Sequence, residues 1–573
     1  MKAWVRTRAG LEPGLVWLCQ GIRPYVALVL VCLTLWLPGF TQLPTGDRDE
    51  ARFVQATRQM LDSGDFVDIR NGLVPRYRKP IGIYWLQVPF AAAARELGIA
   101  RRNPVWPYRI PSLLGGIVAV LAVFGFGQRL VGARAALAGA VFLAGSLVLC
   151  VEVHIAKTDA ALLGASTVMM GVLAEAWLRP TELSRLKAAL FWATLALTVL
   201  LKGPVAPMVA GLTLLALALS GKRAEVVTCL RALHPGFGVV LFLALVLPWF
   251  VAIDISTHGE FFARAIGRDL TNKLVGGDDA HGAPPGLHLA LATMLLFAAT
   301  APAVAAIPYA WELRRRAEMR FLLAWLVPSW LVFEIVPTKL PHYTLPLYPA
   351  LCLLAGWMMA SALTPSRRLG WVGSGLALVA ALGLGGAAMA LPYVVAPGNA
   401  ALDGLGWPAG VTALVLAVAL VGLGWARPRR TAGLMLLALP ALLVSILGYE
   451  LPRLRPIWIT PRVAADLRAH WPQGRPADAA FASLGFAEPS LIFLCGTDTL
   501  LLGTTDLATR FLMPDGAHVA PDRVVAVTAR YWDALATRLA TRGASLHPFA
   551  EVDGFNISNG KRVRLLMATA TSR

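Results

Sequence analysis

Two short stretches of this sequence place charged and aromatic side chains between long apolar runs. The first reads Gly46-Asp-Arg-Asp-Glu-Ala-Arg-Phe53 and the second reads Arg78-Lys-Pro-Ile-Gly-Ile-Tyr-Trp85. A carboxylate can accept the proton of a hydroxyl, and a cation can hold a phosphate. Charge held against a bilayer is costly unless it has a partner or a role, so these groups are candidates for holding a lipid-linked phosphate and activating an acceptor for sugar transfer. The candidates in the two stretches are Asp49, Glu50, Arg52, Lys79 and Tyr84.

Four more candidates lie at the ends of later apolar runs: Asp159, Lys202, Lys339 and Tyr343. Lysines there would meet the negative charge that develops on a departing phosphate, with Tyr343 as a hydrogen-bond donor to it. Asp49 and Asp159 would accept a proton from a hydroxyl, or orient an acceptor that is already an anionic phosphate. Each type also has a structural explanation, since lysines reach toward lipid head groups, aspartates cap helices and tyrosines line membrane interfaces.

Composition indicates what must position these groups. Of 573 residues, 57% are hydrophobic and 15% are charged, so the chain cannot bury its apolar side chains in a water-soluble core and is predicted to be an all-α polytopic membrane protein. About thirteen runs are long enough to cross a hydrocarbon layer that needs roughly 20 residues per helix. Their approximate cores are 23–40, 110–131, 135–153, 160–178, 188–201, 203–219, 237–255, 287–310, 321–336, 343–363, 370–393, 409–426 and 431–449.

The net charge of +19 is scattered among short loops, so it does not indicate a nucleic-acid partner. Every second loop is basic, as Arg314-Arg315-Arg316 illustrates, which is the positive-inside pattern with a cytoplasmic amino terminus. The first run lacks a small-residue cleavage site and is predicted to be a retained anchor. We therefore expect a multi-pass protein of the bacterial inner membrane with its active site facing the periplasm.

The predicted domains are a transmembrane domain over 1–450 and a periplasmic α/β domain over 451–573. The long outer loops within the first are 41–108 and 256–286. Amphipathic or interfacial helices are expected at Asp49–Leu61 and Ile81–Leu97.

In the tail, shorter apolar runs predict strands and helical periodicity predicts helices. The expected strands are Asp478–Gly485, Ser490–Cys495, Arg523–Thr528 and Lys561–Met567, and the expected helices are Pro461–His470 and Ala529–Arg542.

Several other classes of protein find no support. The six cysteines show neither a disulfide framework nor metal-ligand spacing, and no glycine-rich phosphate loop follows a strand. A secondary transporter remains an alternative because it also needs intramembrane charge, but the chain shows no repeated halves.

A set of short motifs in order resembles one family of membrane enzymes. They are Asp49-Glu-Ala-Arg-Phe53, Met60-Leu-Asp-Ser-Gly-Asp65, Lys79-Pro-Ile-Gly-Ile-Tyr-Trp85, Thr158-Asp159, Leu201-Lys-Gly-Pro204, Pro248-Trp249 and Thr338-Lys-Leu-Pro-His-Tyr343. Between about residues 23 and 363, the chain resembles the aminoarabinose transferase (ArnT) family and its protein O-mannosyltransferase relatives, glycosyltransferases of the GT-C class.

The resemblance implies transfer of a sugar from a polyprenyl (undecaprenyl) phosphate carrier to a periplasmic acceptor, with lipid A or the lipopolysaccharide core expected. It implies a lipid-linked donor, a lipid or lipopolysaccharide acceptor, contact with membrane lipids, no nucleic acid and a monomer. Transfer to a polypeptide is the alternative within this class. Since no second carboxylate is placed as a nucleophile, direct displacement with inversion is expected.

The chain departs from the family at positions associated with a bound metal. The aminoarabinose enzymes read Glu-Lys-Pro where this chain has Arg78-Lys79-Pro80, and Glu-His where it has Asp269-Leu270. A divalent metal is therefore possible within the family pattern, but its ligands are not matched here. No cofactor is assigned.

Overall fold

The computed structural model describes residues 17–99, 104–265, 267, 282–515 and 518–572. The first part of the chain is a helical bundle. Its helices are α1 (Arg23–Trp36), α2 (Asp49–Ser63), α3 (Gly82–Glu96), α4 (Trp106–Val131), α5 (Ala133–Ala144), α6 (Leu147–Val153), α7 (Thr158–Leu178), α8 (Arg185–Lys202), α9 (Val205–Leu217), α10 (Arg223–Ala232), α11 (Pro235–Thr257), α12 (Glu260–Arg264), α13 (Leu287–Leu295), α14 (Thr300–Glu312), α15 (Ala317–Ile335), α16 (Tyr348–Ala360), α17 (Arg367–Val395), α18 (Trp407–Ala419) and α19 (Pro428–Leu443).

The multi-pass helical architecture expected from composition is confirmed. Among the described residues, seven helices are long and apolar enough to cross a membrane, or up to nine if each of two bent pairs is one span. The bent pairs are α5 with α6, at 58°, and α13 with the helical stretch Phe297–Glu312, at 102°. Each predicted apolar run coincides with a helix or a bent pair. Several of these helices are too short to cross a membrane alone, so the count of thirteen spans stays a prediction.

Helix α7 forms the centre of the bundle. Within its apolar window 83% of the residues are buried, against 22% for α11, which leaves most of its surface for lipid. Small residues allow the close approach of α4: a Cβ on Gly164 would lie 2.5 Å from the carbonyl oxygen of Gly115. The outer end of α7 carries Asp159, so this carboxylate lies where several helices meet.

The first outer region contains the expected pair of helices. Helix α2 begins at Asp49, a small hairpin pairs β1 (Arg70–Asn71) with β2 (Val74–Pro75), and α3 begins at Gly82. A Cβ on Gly82 would meet the backbone of Leu200 at 2.7 Å, so glycine lets the start of α3 touch the end of α8. This contact brings the Lys79 segment next to Lys202.

The tail forms an α/β domain. Its helices are α20 (Leu451–Arg453), α21 (Ile459–His470), α22 (Ser490–Cys495), α23 (Thr505–Leu512) and α24 (Ala529–Ala540), and its strands are β3 (Ala480–Leu484), β4 (Leu500–Leu502), β5 (Arg523–Thr528), β6 (Ala544–Asn556) and β7 (Lys561–Ser572). The sheet order is β4-β3-β5-β7-β6; β3 is parallel to β4 and β5, and β7 is antiparallel to β5 and β6. Alternate residues of β5 enter different clusters, Val525 and Val527 in one and Val524 and Ala526 in the other, so the sheet has a core on each face.

One predicted strand of the tail is wrong. Ser490–Cys495 is a helix, because a six-residue apolar run shows no periodicity that separates the two states and Pro489 precedes it as a helix start. Its Phe493 packs with Val54 of α2 and Tyr108 of α4. Strands β4 and β6 were not predicted, the first because it has only three residues and the second because it is largely exposed.

The tail domain is fixed against helix α2. Ser490 Oγ donates to Asp47 Oδ1, Arg58 Nη1 donates to the Phe493 carbonyl at 2.8 Å, and Gln55 Nε2 donates to Thr497 Oγ1 at 3.0 Å. Asp47 lies two residues before Asp49, so the tail domain supports one wall of the site described next.

Candidate active site

Asp159 lies at the centre of a group of opposite charges. Lys202 Nζ donates to Asp159 Oδ1, and Lys157 Nζ is 3.7 Å from Oδ2. The first turn of α7, where Asp159 lies, also favours a carboxylate because the helix dipole is positive there. The carboxylate is buried and neutralised, so Asp159 positions two lysines.

A second carboxylate joins the same group. Lys157 Nζ is 3.0 Å from Glu152 Oε1, and His342 Nδ1 is 3.5 Å from the same oxygen. We call Glu152, Lys157, Asp159, Lys202 and His342 the ion cluster. Its members come from α6, the turn before α7, α7 itself, the end of α8 and the loop before α16, so three separate stretches of the chain converge, at 152–159, 202 and 342.

The loop that follows α15 contributes an imidazole and a phenol ring. Burial lowers the pKa of His342 to about 3, with Lys157 and Lys202 acting in the same direction and Asp159 opposing them. His342 is therefore neutral near pH 7 and serves as a hydrogen-bond partner. The Lys202 ammonium lies 5.1 Å from the ring centroid of Tyr343, a cation–π contact.

Asp49 is the accessible carboxylate of the site. Its side chain is 64% exposed, and Arg52 Nη1 is 3.6 Å from its Oδ1. Partial removal from water raises the pKa of the Asp49 carboxyl, but nearby cations outweigh this effect and the pKa is lowered. The cations responsible are Arg76, Arg52, Lys157 and Lys79. Asp49 is thus ionised and lies within electrostatic reach of Lys79 and of the ion cluster.

Residue Arg48 turns the chain into helix α2. It has φ 63° and ψ −100°, a backbone conformation that residues with a Cβ rarely adopt. This conformation sets the direction in which α2 leaves the loop, and so the placement of Asp49 directly after it.

Glu50 is not a member of the accessible group. Its carboxylate is buried in a bidentate pair with Arg109, at 2.8 Å to Nε and 3.0 Å to Nη2. The Ala156 N–H donates to Glu50 Oε1 at 2.8 Å and the Gly46 N–H donates to Oε2 at 2.7 Å. Glu50 therefore ties the helix of Asp49 to the turn that carries Lys157, which is a positioning role.

Two other predicted residues, Lys339 and Tyr84, form hydrogen bonds to other residues of the protein. Lys339 Nζ donates to the carbonyls of Ala283, at 2.9 Å, and Val336, at 2.7 Å, which holds the loop of His342 in place. Tyr84 is fully buried, and its hydroxyl accepts from Arg76 Nε at 3.2 Å. The predicted residues that the structure brings together are Asp49, Arg52, Lys79, Asp159, Lys202 and Tyr343.

Four members of the site were not among the predicted residues: Glu152, Lys157, Arg76 and His342. Lys157 and Glu152 form an ion pair within the ion cluster. Arg76 is buried and stacks on the Phe53 ring at 4.5 Å. The available signal was sequence position, since Lys157 directly precedes Thr158-Asp159 and His342 directly precedes Tyr343.

The described residues do not fit a metal of the kind expected in the family. No group of three or more His, Cys, Asp or Glu side chains within the described ranges could hold an ion. Asp269 and Leu270 lie outside those ranges.

The charges of the site do not cancel. Arg52, Arg76, Lys79, Lys157 and Lys202 are five cations, while Asp49, Glu152 and Asp159 are three carboxylates, which leaves a net charge of +2. Such a site suits a ligand that carries one or two negative charges beside a group that must lose a proton. A sugar phosphodiester carries one negative charge, and the phosphate monoester that leaves when the sugar is transferred carries up to two.

The chain is similar to known proteins in sequence and in structure. The dolichyl-phosphate-mannose-protein mannosyltransferase family model matches residues 79–251. The chain is 26% identical over 452 residues to the undecaprenyl phosphate-α-4-amino-4-deoxy-L-arabinose arabinosyl transferase of Pectobacterium carotovorum, covering 75% of this chain and 76% of that protein. It is 25% identical over 427 residues to the protein of the same name from Pectobacterium atrosepticum, covering 70% and 71%.

Solved structures show the same fold. The crystal structure of ArnT from Cupriavidus metallidurans bound to undecaprenyl phosphate aligns with a TM-score of 0.71 at 20% identity, covering 96% of this chain and 98% of that one. The apo structure of that protein aligns with a TM-score of 0.67 at 21% identity, covering 97% and 98%. The resemblance expected from the ordered motifs is thus confirmed: the chain is similar in sequence to aminoarabinose transferases over most of its length and shares the fold of ArnT.

Proposed function

We propose that this protein transfers a sugar from an undecaprenyl phosphate carrier to an acceptor on the periplasmic side of the inner membrane, lipid A or the lipopolysaccharide core. The observation that carries the proposal is the convergence of Asp49, Lys79 and the ion cluster at one end of helix α7. The names of the relatives, arabinosyl transferases that use undecaprenyl phosphate-linked aminoarabinose, support the carrier and the reaction type.

In the proposed reaction the acceptor oxygen attacks the anomeric carbon of the sugar. The bond between that carbon and the phosphate oxygen breaks, and its electron pair stays on polyprenyl phosphate. Asp49 takes the proton of an acceptor hydroxyl, because it is exposed, ionised and beside the cations. Lys79, Lys202 and Arg52 meet the charge that grows on the phosphate, and Tyr343 donates a hydrogen bond to it.

Asp159 and Glu152 act through the lysines that they hold. They fix Lys202 and Lys157 in place before the substrate arrives, so little reorganisation accompanies the reaction. Glu50, Tyr84 and Lys339 position the elements that carry these groups.

The displacement is proposed to invert the anomeric centre, since the only exposed carboxylate of the site is surrounded by cations and serves as a base. Nuclear magnetic resonance of the product measures its anomeric configuration. Retention relative to the donor would overturn this step while leaving the transfer itself intact.

The acceptor can be tested directly. Mass spectrometry of lipid A and core oligosaccharide from strains with and without the gene should show a sugar-sized mass difference that returns with the wild-type gene and not with an Asp49→Asn gene. Unchanged glycolipids in all strains would contradict the proposal.

Transfer to a polypeptide is a second candidate, favoured by the protein mannosyltransferase family model that matches residues 79–251. It predicts that the same strains differ in secreted glycoproteins and not in lipid A. Transport of an intact lipid-linked sugar without transfer would favour the transporter alternative instead.

We propose further that the molecule is a monomer with about thirteen spans of roughly 20 residues each. Residues 1–450 would be the transmembrane domain and 451–573 the periplasmic domain. The docking of the tail domain beside Asp47 supports this, because both must then lie on one side of the membrane.

A further inference from the structure

A cavity lies between the tail domain and the connection that joins helices α17 and α18. Its volume is about 1110 Å³. One wall is the connection between α17 and α18, from Val395 to Leu402, and the others come from the start of α24 and from β6 and β7. Its described lining residues include none of the ion cluster. The cavity is therefore separate from the proposed reaction site.

The lining of this cavity is strongly basic. It contains seven arginine and lysine side chains and one carboxylate, Asp553. Arg564 is paired with Glu551, and Arg462 donates to the Asp553 carbonyl. No carboxylate of the described residues lies within 4.0 Å of the cations that remain. These are Arg453, Arg455, Arg530, Lys561 and Arg562.

A helix also begins in this cavity. Thr528, the last residue of β5, lines it together with Ala529 and Arg530, the first two residues of α24, a helix of 12 residues. The Thr528 side chain does not cap the helix, so the first backbone N–H groups remain available to an anion. The positive end of the helix dipole adds to the charge of the arginines. Several unneutralised cations and a helix start that face one concavity favour a phosphate group.

The position of the cavity indicates where the phosphate comes from. Tyr393, near the end of α17, and Trp407, at the start of α18, are exposed large aromatics on either side of the cavity wall. Aromatic side chains at the ends of spans mark the level of lipid head groups. A lipid that enters from the bilayer would thus bring its phosphate to the height of Arg455 and Arg530.

We propose that this cavity binds the phosphate of an anionic lipid head group and seats the tail domain on the membrane surface. The cations supply charge and bidentate hydrogen bonds, and the start of α24 supplies backbone donors. The site does not depend on the proposed transfer reaction, since it shares no residue with the ion cluster.

The test is a binding measurement on the purified full chain in a neutral detergent. Native mass spectrometry is used to titrate phosphatidylglycerol, phosphatidylcholine and inorganic phosphate separately, at low and high salt. The wild type should prefer phosphatidylglycerol to phosphatidylcholine, and Arg455→Ala with Arg562→Ala should weaken phosphatidylglycerol binding by about tenfold or more. High salt should reduce the difference between wild type and variant.

The matched control is Arg510→Ala with Arg542→Ala, which removes two exposed arginines of the same domain that lie outside the cavity. It should bind as the wild type does, and melting temperatures will show that both double variants are folded. Equal phosphatidylglycerol binding by the two double variants would overturn the proposal. Inorganic phosphate that binds as tightly as phosphatidylglycerol would overturn the assignment to a lipid.

Discussion

Lys79 and Lys202 carry the same charge in the same site but have different neighbours. Lys202 donates to the buried Asp159, whereas Lys79 acts on the exposed Asp49. Loss of Lys202 would leave a buried carboxylate with less compensation, which costs much more than loss of a half-buried cation. The two lysines should therefore separate a loss of activity from a loss of stability.

Lys79→Ala should lower the rate of sugar transfer by about a hundredfold or more, because a cation that meets the departing phosphate is lost. Its melting temperature and membrane insertion should stay close to those of the wild type. Lys202→Ala should lose activity as well, and roughly 3 kcal/mol of stability with it. Initial rates with a polyprenyl-phosphate-linked donor and thermal unfolding in detergent measure the two effects. A fully active Lys79→Ala protein would contradict the role of this lysine.

Asp49→Asn should reduce transfer to a hydroxyl acceptor by about a hundredfold to ten-thousandfold, the usual contribution of a general base. Binding of the lipid-linked donor should be retained or improved, because a negative charge beside the phosphate is removed. Rates and donor affinity measured on the same preparation check both parts. A small loss of rate with unchanged donor affinity would mean that the acceptor needs no deprotonation.

Some of these residues could be predicted from sequence and others could not. Asp49 and Lys79 stand out because charge beside apolar runs is rare. Glu50 looks equivalent to Asp49 in sequence, but it lies on the buried face of α2 against Arg109, which only the packing reveals. Arg76 and His342 join the site because their loops fold back onto it, and no local pattern predicts that.

The helices, too, divide into those that the sequence predicts and those that it does not. The apolar runs predict where helices occur, and amphipathic spacing predicts α2 and α3. The bend between α5 and α6 lies at Gly145 and Ser146, where Ser146 has an extended backbone, and the apolar run does not reveal it. The helix Ser490–Cys495 packs against α2, a contact that its sequence does not reveal either. Local pattern thus predicts long elements, while tertiary contacts decide short ones.

The contact between α3 and α8 can be tested through Gly82. Gly82→Ala places a methyl group 2.7 Å from the Leu200 backbone, so the helices must separate, at a cost of about 1–3 kcal/mol. Transfer activity should fall too, because the Lys79 segment moves away from Lys202. Gly211→Ala is the matched control, since nothing lies within 4 Å of its new Cβ. Equal melting temperatures and rates for the two variants would show that the close contact is unimportant.

The contact between the tail domain and α2 should depend on pH. Burial raises the pKa of Asp47 from 3.8 to about 6; Glu488 acts in the same direction, and Ser490 and Arg48 oppose it. Because the folded pKa is above the unfolded one, this group favours the folded state at low pH, and its contribution is lost as pH rises through about 6.

Asp47→Asn should therefore raise the stability of the protein at pH 8 by on the order of 2 kcal/mol, and the difference should shrink below pH 5. Thermal unfolding of both proteins between pH 4.5 and 8 measures it. A difference between the two proteins that does not change with pH would contradict a raised pKa at this position.

The molecule combines a helical bundle with an α/β tail domain that contacts α2 beside the proposed reaction site. The positive-inside pattern predicts that the reaction site and the tail domain lie on the periplasmic side. Arg542→Cys, on the tail domain, should react with a membrane-impermeant maleimide in intact spheroplasts. Arg315→Cys, in a predicted inner loop, should react only after lysis. The parent protein measures labelling of the native cysteines, and the reverse pattern would invert the topology.

The order of strands in the tail has a consequence for biogenesis. Strand β7 follows β6 in the chain but lies between β5 and β6, so β6 can join the sheet only after β7 has been synthesised. Helix α22, whose Ser490 donates a hydrogen bond to Asp47, belongs to the same tail domain. The membrane helices are therefore synthesised before the domain that contacts Asp47 can fold, and Asp47 lies two residues before the proposed base Asp49.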